Sequence, residues 1–325
     1  MSRMCLDWGS VMQVVAVMNY KGGVGKTTLT ANLGAEIASR GHRVLLVDLD
    51  PQANLTFSFY SIDEFHESLA DDKTIMQWYL GDMPGRKANL ADLVVTPEPV
   101  NRRFGDGDGQ LDLIASHLGL IDIDLELAAK LGGTTIGESK RKFLELHGCL
   151  LKALKGPDFA QYDLVLIDCA PNFGLVTKTA IVASDHILVP AKADYLSTLG
   201  IEYLVGNCQK LVKDFNDYVE HGFSADSGFV AIRPQFAGVV FTMIQVYANK
   251  PIGTQLNYVE EVRMNASVPV LDGVVRNSPR HFGDAGSTGV PAMLRAALDD
   301  EVAAEFRDLA EEIITTITRQ RSAAG

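Results

Sequence analysis

Short apolar runs recur along the chain at intervals that leave room for a helix between them. Residues 12–18 (MQVVAVM) form the first, followed by a glycine-rich turn and a helical pattern from Lys26 to Arg40. Gly41 stops that helix, and Val44–Val47 supplies a second buried-type strand ending at Asp48. Strand, helix and strand within about 35 residues make a βαβ unit, so the two strands run parallel. Further apolar runs at 111–114 (LDLI), 164–167 (LVLI), 187–190 (ILVP) and 237–241 (AGVVF) read as strands, with helical patterns over 139–155 and 198–219. The alternation predicts an α/β, doubly wound fold: a mainly parallel sheet with helices on both faces and ligands at the carboxyl ends of the strands.

The least regular stretch is 82–110, which holds Pro84, Pro97, Pro99 and the run GDGDG at 105–109. That run lacks the ligand spacing and closing glutamate of a calcium loop and reads as a turn. A second loop, Gly132–Gly137, separates two helices. Neither is long or polar enough to be a linker, so one domain is expected over 1–325, with its core at about 12–318. A last helical pattern over about 301–320 places Phe306, Leu309, Ile313 and Ile317 on one stripe, with Glu305, Asp308, Glu311 and Glu312 opposite.

Composition narrows the class. Of 325 residues, 47% are apolar and 22% charged, which suits a globular chain. With 29 Lys and Arg against 41 Asp and Glu, the net charge is −12, so any contact with nucleic acid requires a local basic patch. Cys5, Cys149, Cys169 and Cys208 form neither a CxxC pair nor a zinc spacing and read as reduced, packed thiols. Asp7 breaks the leading apolar run and no stretch reaches the roughly 18 apolar residues of a membrane span. A soluble cytoplasmic protein is expected.

The chemistry concentrates in Asn19-Tyr20-Lys21-Gly22-Gly23-Val24-Gly25-Lys26-Thr27-Thr28, after a strand and opening a helix. Glycines let successive N–H groups turn towards phosphate oxygens, and the helix N-terminus adds its dipole. Lys26 would reach the β- and γ-phosphates, and the Thr27 hydroxyl would ligate Mg²⁺. Tyr20 stands where the usual GxxxxGK[ST] loop has its first glycine, and Lys21 is an additional lysine. Two carboxylates, Asp48 and Asp50, close the second strand two residues apart and so share a face. They could serve a metal and a water, or simply cap the next turn. The run Leu164–Ile167 ends in Asp168, which would hold Mg²⁺ beside Thr27.

The KGGVGKTT loop, together with DLDPQ at 48–52 and DCAP at 168–171, resembles the deviant Walker A, ParA/MinD type of P-loop ATPases. The resemblance runs over about 12–318. It implies an ATP-sandwich homodimer in which Lys21 crosses to the nucleotide of the other subunit; on the residues alone, Lys21 could equally be a solvated loop lysine. It further implies that Gly22, Gly23, Val24, Gly25, Lys26, Thr27 and Thr28 bind ATP, and that Asp50 orients the hydrolytic water. Asp48 and Asp168 would support Mg²⁺, and Gly174, Thr177 and Ala180 fit a switch region. Arg276 and Asn277 stand where the family has an adenine-contacting PRN, with Val275 in place of the proline. Arg280–Ala285 matches a following family element loosely.

Within the family, ParA-type members bind nonspecific DNA and MinD-type members bind membrane through a C-terminal helix. The acidic face at Glu305, Asp308, Glu311 and Glu312 argues against the membrane. DNA contact would fall to Lys250, Arg263, Arg276 and Arg280, although residues 231–325 hold nine Lys and Arg against eleven Asp and Glu and these four could equally be ordinary surface cations. With about 11 residues ahead of the first strand, no N-terminal helix-turn-helix domain is expected. Pro171 stands where a nitrogenase-type iron protein has its cluster cysteine. The expectation is a partition-type Mg²⁺-dependent ATPase, nucleoid-associated when ATP-bound and stimulated by a ParB-like partner. The alternatives are a DNA-independent regulator that recruits a protein, and an enzyme that activates a small acid.

Overall fold

The computed structural model describes residues 11–81, 89–105, 107, 109–223, 228–247, 250–283, 288–297 and 299–324. In chain order these form β1 (Gln13–Val17), α1 (Lys26–Ser39), β2 (Arg43–Leu49), α2 (Ile62–Ser68), α3 (Ile75–Leu80), α4 (Glu98–Asn101) and β3 (Gln110–Ile114). Then come α5 (Leu120–Lys130), α6 (Ile136–His147), α7 (Cys149–Leu154), β4 (Leu164–Cys169), α8 (Leu175–Ala183), β5 (His186–Lys192) and α9 (Tyr195–Tyr218). The last third holds β6 (Gln235–Ile244), β7 (Val246–Tyr247), β8 (Lys250–Pro251), α10 (Gly253–Asn265), β9 (Val270–Arg276), α11 (Pro279–Phe282), α12 (Ala292–Arg295) and α13 (Glu301–Ala324).

Seven strands make one sheet in the order β3-β2-β4-β1-β5-β6-β9, with every neighbouring pair parallel. Each central strand is buried on both sides, which is why the runs read as continuously apolar rather than alternating. One face of β1, Val14 and Ala16, packs with residues of α5, α7, α8 and α9; the other, Val15 and Val17, packs with α1 and α13. Helices therefore cover both faces, as the alternation predicted. Close approach of α1 depends on Gly34, where a Cβ would stand 2.7 Å from a Leu46 methyl.

Differences from the sequence reading have local causes. The single helix expected over 139–155 is two, α6 and α7, meeting at Gly148, where any side chain would collide with the Phe229 ring. Strand β9 escaped notice because Asp272 and Gly273 interrupt its apolar pattern. The irregular 82–110 stretch is partly ordered, with a 3₁₀ turn at Leu90–Leu93, α4, and a bridge from Val95 to Leu113. Residues 82–88, and two of the GDGDG run, lie outside the described residues.

The stripe on α13 is as read: Phe306, Leu309, Ile313 and Ile317 are buried. Its acidic face is different. Glu312 accepts from the backbone N–H groups of Asp272 (2.7 Å) and Gly273 (2.8 Å), and Glu305 accepts from Arg276 N–H (3.0 Å). Two of the four carboxylates thus bind β9 instead of facing solvent. No helix among the described residues is long and apolar enough to cross a membrane.

Two histidines enter the packing uncharged. Burial lowers the pKa of His147, stacked on Phe143 at 3.9 Å, and of His186, beside Gln320, to about 4 each. Unfolded histidine takes a proton near pH 6.5, so their contribution is complete above that value and is lost as pH falls towards 4. The loss is up to about 3 kcal/mol per histidine. Urea unfolding at about pH 7.5 and pH 5 should show a smaller drop for His147→Gln than for wild type; equal drops would remove His147 from the account.

Candidate nucleotide-binding site

The strand order brings the motifs together. β4 lies between β1 and β2, and the register sets Val17 and Asp48 each opposite Asp168. The loop leaving β1 therefore rises over the carboxyl end of β4, with β2 delivering Asp48 and Asp50 from the far side. Gly23 (φ 66°) and Gly25 (φ 77°) take left-handed conformations that turn the loop into the N-terminus of α1. Thr242 of β6 props the loop from beneath, its hydroxyl donating to Val24 C=O at 2.6 Å.

Lys26 is buried, and its ammonium donates to the carbonyls of Asn19 and Lys21, each at 3.2 Å. Burial lowers its pKa, opposed by the charges of Asp168 and Asp50. Thr27 Oγ1 donates to Asp168 Oδ2 at 2.7 Å. Asp168 is buried, its pKa is raised by burial and by nearby Asp48, and its Oδ1 has no hydrogen-bond partner. An orphaned buried carboxylate oxygen beside a threonine hydroxyl suits a hard divalent cation, which would supply the missing charge. Among the described residues no three His, Cys, Asp or Glu side chains form a metal cage, so phosphate and water would complete such a cation's shell, as Mg²⁺ prefers.

Asp48, expected beside the metal, is held by three hydrogen bonds. Its Oδ2 accepts from Thr56 N–H and Thr56 Oγ1, both at 2.8 Å, and its Oδ1 accepts from Asp50 N–H at 3.1 Å. Both oxygens accept from the loop that carries Asp50, so Asp48 positions that loop. Asp50 lines the cleft over the phosphate loop, about 480 Å³, with Gly22, Gly23, Lys26, Thr27 and Thr28. An adjoining recess of about 100 Å³, walled by Leu29, Met243, Val275, Pro279 and Phe282 with Asn277 at its edge, has the size and apolar character for an adenine ring. Met243, held at φ 54°, and Phe282 border both spaces. Sequence reasoning missed these two walls, since nothing in a lone methionine signals a positive φ.

Lys21 does not line the cleft of its own chain. Its ammonium bonds Asp194 at 2.7 and 2.9 Å and Ser197 Oγ at 3.2 Å, and both charged side chains are more than a third exposed. Tyr20, in the place of the usual glycine, is an anchor. Its hydroxyl accepts from Asn207 of α9 at 2.8 Å, and its ring meets Phe173 and Tyr203, each at 5.7 Å. Cys169 is buried with its thiol pKa pushed up by burial, a packed thiol and not a nucleophile. Thr177 is buried and donates to Asn172 at 3.1 Å, within the loop and helix start that follow β4.

The four basic candidates differ in what already surrounds them. Arg276 is held by Glu301 and by Glu305 (2.6 Å), and Arg263 by Glu260 and Asp272, both at 2.9 Å. Their charges are already matched, so a contact with phosphate would have to compete with these carboxylates. Arg280 is exposed on α11, without an ion pair among the described residues, and Lys250 begins β8 of the β7–β8 hairpin.

A family model described as an AAA domain matches residues 12–221. The chain belongs to that family. The Bacillus subtilis sporulation initiation inhibitor protein Soj is 29% identical over 93% of this chain and 98% of its own length. The Myxococcus xanthus chromosome partitioning protein ParA is 29% identical over 88% of this chain and 83% of its own. The ATP complex of Cyanothece McdA has the same fold, with a TM-score of 0.67 at 21% identity over 94% of this chain and 97% of that one. A Mycobacterium smegmatis cobyrinic acid a,c-diamide synthase with an ATP analogue and magnesium aligns with a TM-score of 0.60 at 23% identity, over 93% of each chain. With its KGGVGKTT loop, the chain is a P-loop ATPase of the ParA/MinD type.

Two carboxylate variants separate the metal-side role of Asp168 from the positioning role of Asp48. Asp168→Asn should abolish the gain in ATP affinity on adding Mg²⁺, read by a fluorescent ATP analogue, while leaving metal-free binding within about twofold. Asp48→Asn should keep that Mg²⁺ response but cost about 1–3 kcal/mol of stability, because a donor amide replaces one of two saturated acceptors.

Proposed function

We propose that the chain is a partition- or positioning-type ATPase that binds ATP with Mg²⁺, pairs with a second copy across the nucleotides, and engages DNA in that state. The observation that carries the reading is Lys21. A loop lysine outside the lining of its own phosphate cleft, held by a half-exposed ion pair to Asp194 and a bond to Ser197, suits a role on the nucleotide of another subunit. Such a pair is worth about 0–1 kcal/mol, so exchanging Asp194 for a phosphate needs little energy. The name of the Myxococcus xanthus relative, a chromosome partitioning protein, supports the partition class.

In this reading Thr27 and Asp168 hold Mg²⁺, which supplies a counter-charge to the phosphates when bound. Lys26 adds charge where it builds up in the transition state, and Asp50 orients the attacking water from the opposite wall. The segment after Asp168 links hydrolysis to the state of the surface, because it is packed on Tyr20 through Phe173. A partner protein that completes this arrangement would raise a slow basal turnover. DNA contact falls to Arg280 and Lys250, two positions per chain that pairing would double.

The test is light scattering of Asp50→Ala with ATP and Mg²⁺, with and without random-sequence duplex DNA over a salt series. An ATP-dependent dimer that holds DNA and releases it as salt rises is expected. A dimer indifferent to DNA at low salt would favour a regulator that recruits protein, and the absence of a dimer would sink the reading. Lys21→Ala should lose the dimer while its monomer keeps nucleotide affinity within about twofold. Asp194→Asn retains the cap on Ser197 N–H and should dimerise at lower protein concentration, by about fivefold or less. Arg280→Glu should weaken DNA binding and flatten its salt dependence, with the thermal midpoint unchanged.

A further inference from the structure

Helix α5 presents three different faces. Leu120, Ile123 and Leu127 are buried in the core. Leu118, just ahead of the helix, Ile121 and Leu125 lie at i, i+3 and i+7 on the opposite side and are 61%, 53% and 72% exposed. Isolated exposed leucines are ordinary, but three in one helical register make a stripe. Asp122 and Glu126, both exposed, run alongside it one position further round.

Between stripe and core stands Asp124. Its Oδ1 accepts from Val176 N–H at 2.9 Å, capping the first turn of α8. Its other oxygen stands where a side chain at Gly174 would have to go. Residues 170–174 connect Asp168 to that capped turn, so α5 physically supports the loop that follows the metal-side carboxylate.

We propose that the Leu118–Ile121–Leu125 stripe is the docking surface for a cationic amphipathic helix of an activating partner, acting on the 170–174 loop through Asp124. This rests on the reading of the chain as a partner-stimulated ATPase. Charge selects the occupant: the exposed acids beside the stripe are Asp122 and Glu126, with Lys130 the one cation of α5, in a chain of net charge −12. A helix with apolar anchors at i, i+3 and i+7 and flanking lysines or arginines matches both the stripe and the acids beside it. A second copy of this chain would bring the same acids against each other.

The probe is a fluorescein-labelled amphipathic Leu/Lys peptide of about 18 residues, five helical turns, with a scrambled peptide of the same composition. Anisotropy with the full chain, ATP and Mg²⁺ should show binding at least about tenfold weaker for Ile121→Asp/Leu125→Asp and for the scrambled peptide. Asp122→Asn/Glu126→Asn should bind about threefold to tenfold more weakly at low salt. Saturating peptide should raise phosphate release by wild type and leave Ile121→Asp/Leu125→Asp at its basal rate. Equal binding of both peptides, unchanged affinity of the apolar variant, or binding that leaves turnover unaltered overturns the proposal. So does loss of the ATP-dependent dimer in Ile121→Asp/Leu125→Asp, since a second copy would then be the occupant. Failure of the underlying ATPase reading is seen separately, as absence of phosphate release by wild type before any peptide is added.

Discussion

The structure is organised around one buried carboxylate, Asp168. It lies at the end of the strand between β1 and β2, accepts the Thr27 hydroxyl on one oxygen and has no hydrogen-bond partner among the described residues on the other. An arrangement of this kind is costly unless a cation completes it, because an ionised carboxylate out of water needs a matching charge. The sheet order, the curl of the phosphate loop and the entry of Asp50 from β2 all serve to place groups around that point. Even the left-handed glycines at 23 and 25 can be read as the means of bringing α1 down with Thr27 facing Asp168.

Division of labour between neighbouring carboxylates follows from the same geometry. Asp48 and Asp50 look equivalent as residues two apart at a strand end. Yet Asp48 accepts from Thr56 and from the N–H of Asp50, while Asp50 lines the cleft. The first therefore holds the second in place. Tyr20 does comparable work on the other side, tying the start of the phosphate loop to α9 and to Phe173. A glycine there, as in the usual loop, would remove the bond to Asn207 and the ring contacts with Phe173 and Tyr203.

Much of this was legible in the chain. Six of the seven sheet strands read as apolar runs because each is buried on both faces, and the phosphate loop is marked by glycines that only unusual backbone geometry requires. What escaped depended on partners distant in sequence. β9 has Asp272 and Gly273 in its middle, whose role is apparent only with Glu312 of α13 beside them. The adenine-sized recess depends on the backbone of Met243 and the packing of Phe282. Arg263 and Arg276 looked like free surface cations until the fold set carboxylates against them. Charge counting gives the net sign but not which charges are already spent.

The pairing of α13 with β9 has a bearing on how this molecule meets others. β9 is the last strand of the sheet, and a terminal strand ordinarily exposes a row of N–H groups that another chain can join. Here Glu312 and Glu305 accept from the N–H groups of Asp272, Gly273 and Arg276, taking up donors that an incoming strand would need. One route to sheet extension is thereby closed by the chain's own side chains, carried on a helix that is distant from it in sequence.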